Sequence, residues 1–558
     1  MRKNYIIFFV LSFLIIIGST MLFPPSKERK KQPPSTATPA PGAATTAPSG
    51  ATPPAPPPPA AEAPPLAPPI EGGGHTIKVR SPLYEAEFDT LGGTLRSWKL
   101  VRYRLSTTPD SPPVDVLHDT PRAAELVLAA RGIDVPRPIP FAYDGPDTLE
   151  LSDGTAEITF HWSPPDGTIE VKKTYVLDPH SYVVTLRLEV INRGGNRLPL
   201  GLTLEWYAQM KHGKKRDEFN RQFIALVGDE LFTEQKTPKE TKTLRGVTSW
   251  LGFSDKYFMG AYVPEVGSPA TVTLIPTGTD SLVLARFAYP GDVVPAGGRS
   301  MRISRLFLGP KDLDILKQAG SGLDRAIKYG WMGFLAKPML AVLKVIYSWV
   351  HNYGLAIIVI TFLIRLIFLP LTIKSMESMK LMQEKMKALK PKIDEIKKKY
   401  KDDKTRENQE LMKLYTSHGI NPLSSLGGCL PLLVQIPVFI ALYEVLLYSI
   451  ELRHSSFLWI DNLAEAEQLF NIPHIGVPFR ILPLLMGVSW YVSQKLTPTS
   501  APGQDAAQMK IMEYMPIIFT VMFWGLPSGL ILYWTVSNLL SIAQQLYVNH
   551  RLTKQGRA

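Results

Sequence analysis

Apolar residues follow two rhythms along this chain, and the change comes near residue 320. Upstream, Val184, Leu186, Leu188 and Val190 alternate with Thr185, Arg187 and Glu189, the period of a strand with one face on a core and the other in water. Similar runs near 83 to 89, 155 to 162, 168 to 176, 198 to 206 and 270 to 288 are separated by turn pairs such as Gly92-Gly93, Asp153-Gly154, Asp166-Gly167 and Gly194-Gly195. The spacing predicts an all-β sandwich of the larger kind over residues 75–318.

Downstream the apolar residues run together. No formal charge occurs in the 20 residues between Lys344 and Arg365, the 30 between Lys413 and Glu444, or the 37 between Glu513 and Arg551. The last run is split by Gly525-Leu526-Pro527-Ser528-Gly529 into two helices joined by a tight turn. At ~1.5 Å per residue, about 20 such positions cross a hydrocarbon layer of ~30 Å. The shorter run from Ile481 to Gln494 reaches across when extended to Val477–Lys495, because mismatch costs only fractions of a kcal/mol per Å. Together with the uncharged stretch Asn4 to Ser26, this predicts an α-helical integral membrane protein with six spans: 1–23, 351–370, 421–449, 477–495, 511–525 and 528–549. No A-x-A-like site ends the first, which is therefore expected to be a retained anchor rather than a cleaved signal.

Three connecting segments have patterns of their own. Residues 24–74 contain 17 of the 50 prolines and cannot bury a core, so they read as an extended linker. Over residues 323–350, Leu323, Ile327, Trp331 and Phe334 recur at helical spacing with Arg325, Lys328 and Lys337 nearby, an amphipathic helix suited to the membrane interface before Pro338 redirects the chain. In 371–420, Met379, Met382, Met386, Leu389, Ile393, Ile396 and Tyr400 step by three and four; Leu411, Leu414 and Tyr415 return after a polar turn. This is a helical hairpin with a coiled-coil seam, expected to kink at Pro391. It packs on itself, and its methionines and lysines also suit docking of acidic RNA or hydrophobic segments; sequence does not separate the two.

Composition changes this picture in two respects. The 558 residues hold 61 basic and 49 acidic side chains, and their distribution sets an orientation. Segment 371–420 carries 13 Lys and Arg while 450–478 carries only Arg453, so the first is cytoplasmic and the second external. Both termini, including the basic tail 550–558, are then inside and the sandwich outside. A single cysteine, Cys429, excludes an internal disulfide or a multi-Cys zinc site.

Catalytic chemistry finds no support. HExxH, GxSxG and Walker-type loops do not occur, and His118, His161, His180 and His212 are scattered through the sandwich, so no enzymatic activity, cofactor or metal is expected. The informative residue is Arg365, five positions before Pro370 and so about 7 Å inside the cytoplasmic end of its span. Snorkelling explains such a depth. However, the only other formal charge well inside a proposed span, Glu444, stands near the far end of the third, and an unpaired arginine faces the bundle interior or water. Polar residues share its level: Thr361 one turn away, Gln435 on the third span, Ser489 and Ser493 on the fourth, and the stripe Trp534, Ser537, Asn538, Ser541 and Gln545 on the last. Small polar residues also simply join helices; four spans presenting them together point to a hydrated cavity. A secondary transporter or solute channel is the alternative, but it calls for acid pairs or two related halves, and neither is present. A carbohydrate-active enzyme anchored to the membrane would place its essential residues in 75–318.

Several separated strings bear a family likeness. Ile360-Thr361-Phe362-Leu363-Ile364-Arg365 with Pro370-Leu371-Thr372, Asn421-Pro422-Leu423, Cys429 to Phe439, Leu482-Pro483-Leu484-Leu485-Met486-Gly487 and Phe523 to Leu530 resemble the YidC membrane protein insertases across 323–550, and Leu306 to Asp314 extends the likeness more loosely upstream. The resemblance implies an insertase of the bacterial inner membrane: a five-helix core around a groove open to cytoplasm and lipid, plus a periplasmic sandwich like the sugar mutarotases but without their activity. It implies that Arg365 is the groove arginine, that Thr361 and Trp534 line the path of the client segment, and that Gln435, Ile436 and Phe439 border it. The partners it implies are nascent membrane proteins, the Sec translocon, and the ribosome and signal recognition particle system through the cytoplasmic hairpin. The tail after His550 is short for a ribosome-binding extension, and Glu444 is unusual for its stretch.

Overall fold

The computed structural model describes residues 73–210, 220–265, 267, 269–278, 281–401, 403–418, 430–472, 476, 478–496 and 506–554. The expected first span, linker residues up to 72, His212, the 421–423 motif and Cys429 lie outside them.

Residues 76 to 310 form two sheets, one of five strands and one of 13 among the described residues. Alternation decides which side chains enter. Along Val183–Asn192, Val184, Leu186, Leu188 and Val190 are buried, and this strand pairs antiparallel with Ile169–Leu177 and with Arg299–Pro310. The run at 270 to 288 is two strands, Pro269–Pro276 and Leu282–Ala288, antiparallel to each other. At Gly260 an added Cβ would come within 2.8 Å of the Trp206 ring, so only glycine admits that indole.

The same period carries charge inward. Ile169, Val171, Lys173, Tyr175 and Leu177 all face the core, and the fully buried Lys173 donates to Gly92 O at 3.2 Å and Ala124 O at 2.5 Å. Nearby, Glu205 is fully buried between Arg137 and Arg286, whose Nε lies 2.8 Å from it. Burial pushes the Lys173 ammonium down to about 7 and that of Lys311 down to about 8. A lysine with a depressed folded-state pKa binds fewer protons folded than unfolded between that value and its ordinary 10.5. The sandwich should therefore gain stability as pH rises from about 7 to 9, and Lys173→Met should flatten the larger part of that slope. Melting of the full chain at several pH values measures both.

The last strand leads into helix α1 (Leu313–Ala319), capped by Asp312, whose carboxylate accepts from Asp314 N at 2.7 Å and Ile315 N at 3.1 Å. The amphipathic segment expected over 323–350 is shorter as a helix. Leu323–Ala326 is a tight 3-10 turn, Gly330 takes φ +55°, and α2 covers Gly333–Val350. Pro338 lies inside α2, and the chain turns instead at His351, in the left-handed region. One face of α2 (Met339, Leu340, Leu343, Ile346) is buried; the other exposes Phe334, Val345 and Trp349, the last by 82%.

Helix α3 (Tyr353–Lys399) begins at the Asn352 cap and continues unbroken through Pro370 and Pro391 for 47 residues, on the order of 70 Å. No boundary separates span from hairpin. Helix α4 (Lys404–Ser417) folds back on it, with Leu389 and Ile393 packed on Leu411 and Tyr415. The remaining helices are α5 (Leu430–Tyr448), α6 (Ile481–Leu496), α7 (Ala506–Met522) and α8 (Ser528–Lys554). Among the described residues, α2 and α3 are long and apolar enough to cross a membrane.

Two cationic side chains join sandwich and helices. Lys344 of α2 contacts Asp312 at 3.2 Å, Asp314 at 2.9 Å and Glu451, beyond the end of α5, at 2.6 Å. Arg453 donates to the carbonyls of Arg104 and Leu105 at 2.7 and 3.1 Å and lies over the Phe258 ring.

Candidate functional site

Helix α8 is the spine of the site, packing against α3, α5 and α6. Its start is fixed by the loop between α5 and α6: Ser528 N donates to Glu465 O at 2.6 Å and Gly529 N to Leu463 O at 2.9 Å. A side chain at 529 would meet Leu463 O at 3.1 Å and Ile357 at 3.2 Å, which is why glycine stands there. The same loop covers α6 and α7. Glu467 accepts from Trp459 Nε1 at 2.6 Å and from Leu482 N at 2.7 Å, a carboxylate at the positive end of α6. Arg480 donates to Glu467 O at 2.6 Å and to Trp524 O at the end of α7. The adjoining ends of α6, α7 and α8 are thus tied together by backbone carbonyls and one buried acid.

Below this cap lies an aromatic cluster. Trp534 meets Phe439 of α5 edge to face at 4.9 Å, Phe523 at 5.2 Å and Trp490 of α6 at 5.5 Å; Phe519 packs on Trp490 at 4.8 Å and on Phe523 at 5.2 Å. The sequence points to Phe439 and Trp534 but not to Trp490, Phe519 and Phe523, whose apolar neighbours make them indistinguishable from lipid-facing aromatics.

Arg365 lies one turn deeper. Twelve residues into α3 and level with Ser537, nine into α8, it is partly buried. Its Nε donates to Ser537 Oγ at 3.1 Å, and its Nη2 to the same hydroxyl at 2.5 Å and to Ser537 O at 3.0 Å. Among the described residues no carboxylate pairs with it. Glu444 is elsewhere, its Oε1 3.3 Å from where a Cβ on Gly330 would be.

The other sequence-derived positions divide into two groups. Gln435 donates to the Tyr533 hydroxyl, joining α5 to α8 one turn above Ser537; Tyr533 escapes the sequence pattern because it reads as apolar packing beside Trp534. Ile436 is half-buried beside Gln435. In contrast, Asn538 donates to Ser489 Oγ at 3.1 Å, Gln545 to Ser493 Oγ at 3.5 Å, and Ser489 to Met486 O at 2.8 Å, so that half of the stripe bonds α8 to α6. Thr361 is 1% exposed, with its hydroxyl donated to Ile357 O at 2.5 Å, a packing position in this structure. Toward the C-terminal end of α8, Arg551 comes within 3.7 Å of Glu377 on α3.

Chemically the arrangement offers a cation held by uncharged groups, flanked by an aromatic layer. It has no nucleophile and base in reach of one another, and no cluster of metal-ligating side chains occurs among the described residues.

Comparison with known proteins gives two family matches, the 60Kd inner membrane protein over residues 345–555 and the YidC periplasmic domain over 76–342. The membrane protein insertase YidC of Syntrophus aciditrophicus (strain SB) is 40% identical over 481 residues, covering 85% of this chain and 84% of the relative. That of Pelobacter propionicus is 39% identical over 487 residues, covering 85% and 86%. A solved structure of an active YidC insertase with its first transmembrane domain resolved is similar at 21% identity and a TM-score of 0.35, covering 85% of this chain and 92% of that one.

Proposed function

The chain belongs to the YidC family of membrane protein insertases, and from that premise we propose that client segments enter the inner membrane along the face of α8 that carries Arg365, Ser537 and Trp534. The protein is an insertase and not an enzyme; it acts on nascent membrane proteins and carries a periplasmic β-rich domain beside a helical core.

The physical task is to carry a polar flank through hydrocarbon, where each charge costs roughly 2.5 to 3.5 kcal/mol on insertion scales. The observation that supports this route is the bonding of Arg365: a full positive charge within the apolar part of α3 whose described partners are a hydroxyl and a carbonyl. Such a charge keeps water near it and attracts acidic residues of a passing flank. The aromatic layer of Phe439, Trp534 and Phe523 lies just outside it and contacts the apolar part of the client as it leaves toward lipid. Gln435 and Ile436 border the path, and Ser489, Ser493 and Asn538 hold its floor by joining α6 to α8. Thr361 takes part only when α3 and α8 separate. Driving terms are apolar transfer and the membrane potential, about 2.3 kcal/mol per charge per 100 mV.

In the full topology we place a first span at 1–23, five core spans drawn from α3, α5, α6, α7 and α8, and both termini in the cytoplasm. The α3–α4 hairpin is then the docking surface for the ribosome and the signal recognition particle system, and the Sec translocon is a lateral partner.

Photo-crosslinking groups at Trp534 and Ile436, with one at Val521, 71% exposed on α7, as a lipid-side control, test the path. A stalled nascent membrane protein should react at the first two positions. Reaction at Val521 alone would move the path to the outer surface of α7.

A further inference from the structure

Arg365 carries five N–H groups in a planar fork. Three contacts go to a single residue: Nε to Ser537 Oγ at 3.1 Å, and Nη2 to Ser537 Oγ at 2.5 Å and Ser537 O at 3.0 Å. Among the described residues Nη1 has no partner. One edge of the guanidinium is therefore laid against α8 by a buried hydroxyl, and the two N–H groups of Nη1 make no hydrogen bond among the described residues.

The chemistry of the holding group matters. An aspartate at 537 would fix the fork equally well but cancel its charge, closing the site with an ion pair. A serine fixes direction and leaves the charge whole. Without that hydroxyl the long side chain is free to rotate toward the cytoplasmic headgroups about 7 Å away.

We propose that Ser537 is the positioning residue of Arg365, holding Nε and Nη2 so that Nη1 is the donor pair offered to a carboxylate or backbone carbonyl of the inserting segment. This rests on the groove reading above and names the group of the client that the groove recognises.

The full chain in proteoliposomes is given two clients that differ only in the translocated flank, one with aspartates and one with asparagines in their place. Losing a hydrogen-bond acceptor for a charged group is worth roughly a factor of ten, so Ser537→Ala and the near-isosteric Ser537→Cys should cut insertion of the acidic client about 10-fold. The amide client should change less than about 2-fold, and Ser537→Thr, which restores the hydroxyl, should recover the acidic client. Unchanged melting of at least one of the Ala and Cys variants shows that the fold is intact. Wild-type insertion of the acidic client by Ser537→Ala, with Arg365→Ala inactive, would refute the role of Ser537 and leave the groove standing. Equal losses on both clients, or no recovery with Thr, would make Ser537 a packing residue and overturn the inference too. Full activity of Arg365→Ala would instead remove the groove reading itself.

Discussion

Insertion should fall about 100-fold when Arg365 is replaced by alanine, because the polar flank then meets roughly 2.5 to 3.5 kcal/mol per charge without a compensating cation. Arg365→Glu should be no better, since it repels acidic flanks at the same depth. Arg365→Lys should stay within about tenfold of the natural protein: the charge remains, while the two-sided grip on Ser537 is lost because an ammonium is a point donor rather than a fork. Protease protection of a client's translocated flank in proteoliposomes measures all three. If Ala, Glu and Lys variants inserted equally well, the arginine would be a snorkelling side chain and nothing more.

A loss of similar size, in stability rather than transport, is expected from Lys344. Its ammonium is shared by Asp312, Asp314 and Glu451, and Glu451 is largely buried. Removing one partner of a buried ion pair typically costs 3–5 kcal/mol, because the other charge is left without water or counter-ion. Lys344→Ala should therefore destabilise the junction of sandwich, α2 and α5 by about 3 kcal/mol and open residues 450–470 to protease. Lys344→Glu should be worse, placing four carboxylates together. Adding Glu451→Lys to that variant should recover much of the loss, since an ammonium then stands again among three carboxylates, with its place and that of one acid exchanged. Melting and limited proteolysis in lipid nanodiscs report both effects; a reversal without rescue would show that packing, not charge, holds the junction.

How much of this was legible beforehand depended on the range of the interaction. Strand positions such as Val184 to Val190 follow from a period of two, and the same period puts Lys173 among buried residues although its charge argues otherwise. Arg365 declares itself as a cation well inside an apolar run, and Ser537 lies on the polar stripe of α8, though nothing in the sequence says that these two meet. Glu467 is invisible there: its partner Leu482 N is 15 residues away across an irregular loop with no periodicity. The amphipathic segment ends elsewhere than its pattern suggests because Pro338 reads as a break, whereas α2 runs through it at its sixth residue and the chain turns only at His351. The stripe Asn538 to Gln545 looks like one wet surface; in space it turns toward α6, and its hydrogen bonds are spent there.

The unbroken length of α3 has a mechanical consequence. Its N-terminal end is pinned where Tyr347 stacks on Tyr353, centroids 4.0 Å apart. Measured from that pivot at helical rise, Arg365 sits on an arm of about 18 Å and the hairpin tip on one of about 69 Å. Swung as one body, the rod gears motion down nearly fourfold: displacing the tip by about 4 Å shifts the guanidinium by only about 1 Å. Motion at the hairpin is thereby damped before it reaches the site, so the hold of Ser537 on Arg365 tolerates excursions of the tip several times its own slack.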